Sequence, residues 1–238
     1  MTVQRDPEFD SQMMDVALAM ARRGLGTTAP NPSVGAVVVD ENTGEILGRG
    51  WTQPGGRPHG EPVALEVAGE RARGATLYVT LEPCSHFGKT PPCVASILSA
   101  GIARVVCGIT DPDPRVSGRG LDQLREAGVD VTRSIRLDDA RWVTRGHVLR
   151  VSERRPFVQL KLALGIDGRT ARGEAGNPVW VTSLEARAHG ALLRAQADAI
   201  LVGAGTLRDD DPDLRCRLPG LIHRSPLRVV LAGGRALG

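Results

Sequence analysis

Aromatic residues and lysine are scarce in this sequence of 238 residues. Phe, Trp and Tyr make up 3% of the chain, which argues against the aromatic platforms on which single-stranded nucleic acids stack. The formal net charge is only +3, without the concentrated basic footprint of a nucleic-acid-binding protein. No apolar run approaches the length of a membrane span, and the N-terminus lacks the charged start and apolar core of a signal peptide. The absences argue against nucleic-acid and membrane partners, and the mild positive charge suits a small phosphorylated substrate.

Cysteine is also sparse, with four residues, and this number suits a protein of the reducing cytoplasm. Hydrophobic residues at 41% and charged residues at 24% are ordinary for a globular protein. The length allows one large or two modest domains.

Three short segments carry metal-binding chemistry: His59-Gly60-Glu61, Pro83-Cys84 and Pro91-Pro92-Cys93. One His and two Cys supply three ligands, which leaves the fourth position of a tetrahedral Zn²⁺ for water. Glu61 is placed to carry protons without binding the metal, and this division of labour is typical of zinc deaminases. In that chemistry the metal lowers the pKa of water, and the Glu passes a proton to the departing amine. The segments therefore predict hydrolytic deamination of a nitrogen heterocycle.

Other interpretations of these residues remain open at this point. His86 lies between the two cysteines, so a structural Cys₂His₂ zinc site would leave Glu61 without a role. The cysteines could instead be buried or form a disulfide, with His59 at the surface. Cys107 lies in an apolar strand and is predicted to be a core residue, and Cys216 has no readable role.

The segment between the zinc-site cysteines, 85–92, is rich in polar donors that would stand beside the metal. Lys89 is one of only two lysines among 30 basic residues. Its compact ammonium group is predicted to contact an anionic substrate, although chance survival in an Arg-rich chain is the alternative.

The hydrophobic pattern predicts an α/β fold with a mixed sheet and helices on both faces. Cys84 follows a strand, and helices begin at Glu61 and Cys93, so the metal would lie at the strand ends. The predicted helices are 11–23, from Glu61, 94–98 and 120–127, and the predicted strands are 34–39, 44–47, 75–81, 104–107 and 129–131.

Three stretches resemble the bifunctional deaminase–reductases of riboflavin biosynthesis: 84–93 (CSHFGKTPPC), 30–35 (PNPSVG) and 111–114 (DPDP). The resemblance implies a cytidine-deaminase-like domain that deaminates a ribosylated diaminopyrimidinone phosphate, after which NADPH reduces the ribose to a ribityl chain. It also implies that His59, Cys84 and Cys93 bind zinc, that Glu61 is the proton carrier, and that Asn31 contacts the substrate. Gly60 departs from the family, which usually has Ala there.

Two other functions share parts of this pattern. A nucleic-acid-editing deaminase has the same zinc ligands, but its loop between the cysteines differs from the one here. A non-catalytic scaffold stabilised by zinc would keep its function when Glu61 is replaced by Gln.

A domain boundary is predicted at 150–156, which gives a deaminase domain over 1–150 and a second domain over 156–238. The second region, with a predicted strand at 157–163, resembles the reductase half of the same family and its dihydrofolate-reductase-like fold. By this resemblance, Arg194, Leu214 and Arg217 hold the ribose phosphate, for which the forked guanidinium is apt. A family Ser position before the Trp is Pro178 here. The residues expected against NADPH are Ala163, Trp180, Thr206 and Asp210.

The reductase half is predicted to be incomplete. Reductases of this family continue through further strands and a Gly-rich turn that cradles the dinucleotide phosphates, which this chain lacks. The chain is thus expected to be a C-terminally truncated fragment, a degenerate form, or one that a partner completes. A sheet cut in this way exposes an edge and apolar surface, and self-association as a homo-oligomer is expected.

Overall fold

The computed structural model describes residues 6–86, 88, 90–170 and 180–234. The chain divides into two compact units, of which the first ends at Phe157 and the second begins at Val158. In the first unit the α-helices are α1 (Pro7–Gly24), α2 (Gly60–Ala68), α3 (Cys93–Ser99), α4 (Arg119–Glu126), α5 (Leu137–Val143) and α6 (Arg145–Glu153). The strands are β1 (Gly35–Asp40), β2 (Glu45–Trp51), β3 (Thr76–Leu81), β4 (Arg104–Ile109) and β5 (Asp130–Arg133).

The five strands of the first unit form one mixed sheet in the order β2-β1-β3-β4-β5. β1 pairs antiparallel with both β2 and β3, whereas β3, β4 and β5 run parallel. Parallel neighbours need crossover connections, which α3 and α4 provide. The carboxyl ends of β3 and β4 consequently meet at one edge of the sheet. The predicted mixed α/β fold is confirmed.

Burial explains why these segments form strands and helices. Every residue of β3 and β4 is buried, as expected for strands covered on both faces. α1 begins at Pro7 after Asp6, whose side chain accepts a hydrogen bond from the backbone N–H of Glu8 and caps the helix. Helices α5 and α6 were not predicted, and α6 extends past the start of the predicted boundary at 150–156.

Glycines on β1 and β2 allow helices to approach the sheet closely. A Cβ atom at Gly35 would lie 1.9 Å from the carbonyl oxygen of Ala17 on α1. A Cβ atom at Gly48 would lie 2.2 Å from the carbonyl oxygen of Ala64 on α2. Because α2 also carries Glu61, this close packing fixes the position of one element of the candidate site.

A buried charge cluster lies at the start of β4. Arg104 pairs with Asp10 at 2.6 Å and with Glu41 at 2.5 Å, and its side chain is 7% exposed. The Tyr78 hydroxyl donates to Asp10 Oδ1 at 2.8 Å. Burial lowers the pKa of Arg104, but hydrogen bonds to Asp10 and Glu41 outweigh burial and raise it above its usual range. The cluster joins α1, β3 and β4 at the opposite end of these strands from Cys84.

The second unit contains α7 (Leu184–Ala195), β6 (Ala199–Gly203), α8 (Ala204–Asp210) and β7 (Leu227–Leu231). β6 and β7 pair in parallel as a two-stranded sheet. The predicted strand at 157–163 is wrong, because these residues form no ladder with any described strand. Its alternating apolar side chains are exposed instead, among them Val158 at 75% and Leu160 at 79%.

Among the described residues, no helix is long and apolar enough to cross a membrane.

Candidate metal centre

Three elements bring the predicted ligands together. His59 is the N-cap residue of α2, and Cys93 is the first residue of α3. Cys84 comes three residues after the last residue of β3, at the carboxyl edge of the sheet. The N–H of Cys93 donates to the Cys84 sulfur at 3.3 Å, so a helix N-terminus faces a thiolate, which it stabilises.

The distances between these side chains fit a tetrahedral metal ion. His59 Nδ1 lies 3.3 Å from Cys93 Sγ and 3.7 Å from Cys84 Sγ. All three ligand atoms are within 4.8 Å of one another. Zinc bonds of about 2.0 Å to nitrogen and about 2.3 Å to sulfur place such ligand atoms roughly 3.5 Å apart. The three side chains can therefore hold one Zn²⁺ and leave a position open.

The other cysteine and histidine interpretations are not supported by the described residues. His86 does not join the ligand cluster, so a structural Cys₂His₂ site does not form. All four cysteines are free, and Cys107 is buried in β4 as predicted. Cys216 is buried in the second unit.

The thiols of Cys84 and Cys93 have opposite shifts of pKa. Interaction with Cys93 lowers the pKa of Cys84 to about 4, whereas interaction with Cys84 and burial raise the pKa of Cys93 above its usual range. A hydrogen bond with Cys84 raises the pKa of His59. Because zinc binds thiolates, metal uptake at this site would displace the proton of the Cys93 thiol.

Glu61 lies beside the ligands but outside their cluster. The residue is 3% exposed, and its buried Oε2 atom has no hydrogen-bond partner. Burial raises the pKa of Glu61 to about 6. A carboxylate with one unpartnered buried oxygen and a pKa near neutrality can accept a proton from water and release it again.

Of the two substrate residues predicted in the first unit, Asn31 is among the described residues and Lys89 is not. Asn31 Nδ2 donates to the carbonyl oxygen of Gly56 at 2.8 Å, which places Asn31 against the loop that leads to His59. Lys89 lies outside the described residues.

Arg57 was missed by the sequence interpretation. It precedes Pro58 and His59, and its guanidinium donates to Thr90 Oγ1 of the segment between the cysteines. Its positive charge acts to lower the pKa of His59, so it stands close to the metal ligands. Among the described residues, no carboxylate forms an ion pair with Arg57. One arginine in a chain whose 30 basic residues include only two lysines gives no sequence signal of this kind.

The structure places the predicted reductase residues at several points of the second unit. Thr206 and Asp210 are exposed on α8, and Ala163 is half-buried. Trp180 is 55% exposed and carries the guanidinium of Arg187 over its ring at 4.4 Å. Pro178 lies outside the described residues.

The predicted phosphate-binding residues of the second unit lie near one another. Arg194 donates a hydrogen bond to the carbonyl oxygen of Arg215 at 3.2 Å. Leu214, the residue before Arg215, is buried. Burial and the nearby charge of Arg217 lower the pKa of Arg194. Two neighbouring cations of this kind suit an anionic ligand.

Comparison with known families finds a separate match for each half of the chain. The model of the "cytidine and deoxycytidylate deaminase zinc-binding region" matches residues 7–109, and that of the "RibD C-terminal domain" matches residues 156–234. The riboflavin biosynthesis protein RibD of Escherichia coli is 46% identical over 233 residues, which cover 93% of this chain and 63% of the relative. Both halves of the chain are therefore similar to RibD proteins, in the same order along the sequence.

Other RibD proteins are similar to the chain in sequence and in structure. RibD of Aquifex aeolicus is 44% identical over 94% of this chain and 62% of its own length. A crystal structure of the deaminase/reductase of Thermotoga maritima matches with a TM-score of 0.86 and 40% identity, and covers 95% of this chain and 64% of that one. A RibD structure from Acinetobacter baumannii matches with a TM-score of 0.85 and 39% identity, over 98% and 66%. The chain thus spans less than two thirds of the length of these relatives.

Proposed function

We propose that the first unit is a zinc-dependent deaminase of riboflavin biosynthesis and that its substrate is a ribosylated diaminopyrimidinone phosphate. The observation that carries the proposal is the convergence of His59, Cys84 and Cys93 within 4.8 Å beside the buried, unpartnered oxygen of Glu61. Similarity to RibD proteins over 93% of the chain supports this substrate over other heterocyclic amines.

The roles of the residues follow from their chemistry. His59, Cys84 and Cys93 hold the zinc, which when bound acts as a Lewis acid that lowers the pKa of water at its open position. Glu61 accepts a proton from the attacking water as a C–O bond forms at the amine-bearing ring carbon. Glu61 then gives this proton to the amine nitrogen, the C–N bond breaks, and ammonia leaves. Asn31 and Lys89 are proposed to contact the substrate.

We propose that the second unit contributes to an NADPH-dependent reduction of the ribose to a ribityl chain. Ala163, Trp180, Thr206 and Asp210 are the proposed NADPH contacts. Arg194, Leu214 and Arg217 are the proposed substrate contacts, and the proximity of the two arginines supports a phosphate ligand there. We also propose that the two domains cover 1–150 and 156–238. We further propose a cytoplasmic location, which suits zinc thiolates and free cysteines, and self-association as a homo-oligomer.

The test follows the purified protein on the proposed substrate, with and without NADPH, by mass spectrometry. Replacement of the amine by an oxo group, with and without NADPH, supports the proposed deaminase activity. A gain of two hydrogens that requires NADPH supports the proposed reductase activity. Glu61→Gln is the matched variant, because it should retain zinc in a metal assay while turnover falls by at least about 10²-fold. A zinc-loaded wild-type protein that leaves the substrate unchanged would overturn the substrate assignment. Undiminished turnover by Glu61→Gln would overturn the role of Glu61 as the proton carrier.

A further inference from the structure

Glu82 is a buried carboxylate to which the deamination chemistry gives no role. It follows β3 directly and is 4% exposed. Its Oε2 atom accepts hydrogen bonds from the backbone N–H groups of Asp111 at 3.1 Å and Gly118 at 2.9 Å. Its Oε1 atom accepts from the N–H of Gly120 at 3.0 Å. One side chain thus satisfies three backbone donors of a loop that is distant in sequence.

The same loop presses against the residue before the zinc ligand Cys84. A Cβ atom at Gly120 would lie 2.2 Å from the carbonyl oxygen of Pro83 and 3.3 Å from Glu82 Oε1. Only a glycine permits this approach without displacement of the Pro83 backbone. The start of α4 is therefore seated on the chain segment that presents the Cys84 sulfur.

The loop is itself anchored on its other side. Asp111 Oδ1 accepts from the N–H of Asp113 at 2.9 Å and lies 3.0 Å from Nε2 of His147 on α6. The side chains of Asp111 and His147 are both nearly buried, at 10% and 8% exposed. Glu82 therefore connects the segment that carries Cys84 to a fixed support rather than to a free loop.

We propose that Glu82 is a positioning residue of the metal centre, which holds the 82–84 segment so that the Cys84 sulfur faces His59 and Cys93. The proposal rests on the zinc binding proposed above. Replacement of Glu82 would leave up to three buried N–H groups without acceptors, and these orphaned donors are costly. The loop and the 82–84 segment would then relax, and the ligand sulfur would move. Loss of residues that orient metal ligands typically weakens metal binding by about 10–100-fold.

Three variants of the full chain test this role. Glu82→Gln keeps the shape of the side chain but turns an amide NH₂ toward loop N–H groups, whereas Glu82→Ala removes every acceptor. Gly120→Ala retains the Glu82 carboxylate, but its added methyl group would displace the Pro83 carbonyl group. Asp10→Asn is the matched control, because it weakens the buried charge cluster at the far end of β3 and β4 without touching the 82–84 segment. Zinc dissociation constants come from competition with a chromophoric chelator, Co²⁺ absorption bands report ligand geometry, and urea unfolding reports stability.

We expect the zinc dissociation constant to rise by about 10-fold or more in Glu82→Gln and further in Glu82→Ala. The Co²⁺ bands should shift in Glu82→Gln and in Gly120→Ala. Asp10→Asn should lower the urea midpoint yet keep the wild-type dissociation constant within about twofold.

Wild-type zinc affinity and Co²⁺ bands in Glu82→Gln and Gly120→Ala would overturn the positioning role. So would an equal loss of zinc affinity in Asp10→Asn at matched stability, because the effect would then come from general destabilisation. Failure of the wild-type chain itself to bind zinc or Co²⁺ would instead overturn the proposed metal centre.

Discussion

Arg57 illustrates, at the scale of single residues, how a side chain beside the metal ligands can select a substrate. Its guanidinium is held by Thr90 and has no ion pair with a described carboxylate, so its charge is available to an anionic ligand. Arginine binds phosphate oxygens with charge-assisted hydrogen bonds.

We expect Arg57→Ala to raise KM for the phosphorylated substrate by about tenfold or more, the worth of one charge-assisted hydrogen bond. The value of kcat should change little, because Arg57 holds no reacting atom. Steady-state kinetics with the phosphorylated substrate and its dephosphorylated form measure the difference. Arg49→Ala, at an exposed position on β2, is the control. An equal rise of KM for both substrates would contradict a phosphate contact.

The Arg104 cluster predicts a large loss of stability from one substitution. Arg104→Met leaves Asp10 and Glu41 without their counter-ion in a buried site, which should cost about 3–5 kcal/mol in the free energy of unfolding. The control is Arg71→Met, which breaks a pair with Glu45 whose side chains are 59% and 53% exposed and should cost less than about 1 kcal/mol. Urea unfolding measures both variants. Similar losses in the two variants would show that burial does not decide the strength of the Arg104 cluster.

The sequence predicted the three side chains that converge at the candidate metal centre, whereas it predicted neither Glu82 nor Arg57. His59, Cys84 and Cys93 have the types and the order that zinc chemistry demands, so their pattern is informative before the fold is known. Glu82 takes its hydrogen bonds from residues 29, 36 and 38 positions away. A contact over such separations depends on the register of β3 and β4, which no local pattern specifies.

At the scale of elements, the packing of α2 against β2 depends on Gly48. A Cβ atom at this position would meet the backbone of α2 at 2.2 Å, so Gly48→Ala must displace the helix that carries Glu61. We expect a loss of about 1–3 kcal/mol in unfolding free energy and a lower kcat, measured by urea unfolding and steady-state kinetics.

Gly146 on α6, unlike Gly48, has room for a side chain. A Cβ atom there would meet nothing within 4 Å, so Gly146→Ala should stabilise the protein by about 0.5–1 kcal/mol through helix propensity. If Gly48→Ala and Gly146→Ala destabilised the protein equally, the close packing of α2 at Gly48 would not explain the loss.

The elements of the first unit followed from periodicity, but two parts of the chain did not. α5 and α6 have several charged residues and short apolar stripes, so their helical pattern is weak. Residues 157–163 alternate like a strand, yet a strand needs a partner to supply its hydrogen bonds. Alternation alone therefore predicted a strand that the described structure lacks.

At the scale of the whole molecule, the two units differ in how much apolar surface they bury. The residues of the main hydrophobic cluster all lie in the first unit. In the described part of the second unit the buried apolar residues are Ala191, Ala195, Ala204, Leu214 and Cys216. The strands β6 and β7 expose large side chains, including Leu201 at 62% and Leu227 at 70%.

Limited proteolysis should therefore cut the second unit first. Local opening is easiest where few apolar contacts are buried, so a zinc-retaining fragment that ends near Phe157 should accumulate. Mass spectrometry of the fragments and their zinc content are the measurements. Cleavage within 60–110 at the same rate as cleavage beyond Val158 would contradict this difference.

The ligands of the metal centre also have a thermodynamic consequence, because His59 and Cys93 are 34 positions apart in sequence. An ion that joins them closes a long loop, and the unfolded chain has no preformed site with which to compete. Such binding adds to folding free energy in proportion to the logarithm of free metal, by about 2.7 kcal/mol when the metal exceeds its dissociation constant a hundredfold. The melting temperature of this protein is then a function of zinc supply, and scarcity of zinc would shorten the lifetime of the folded chain as well as slow its chemistry.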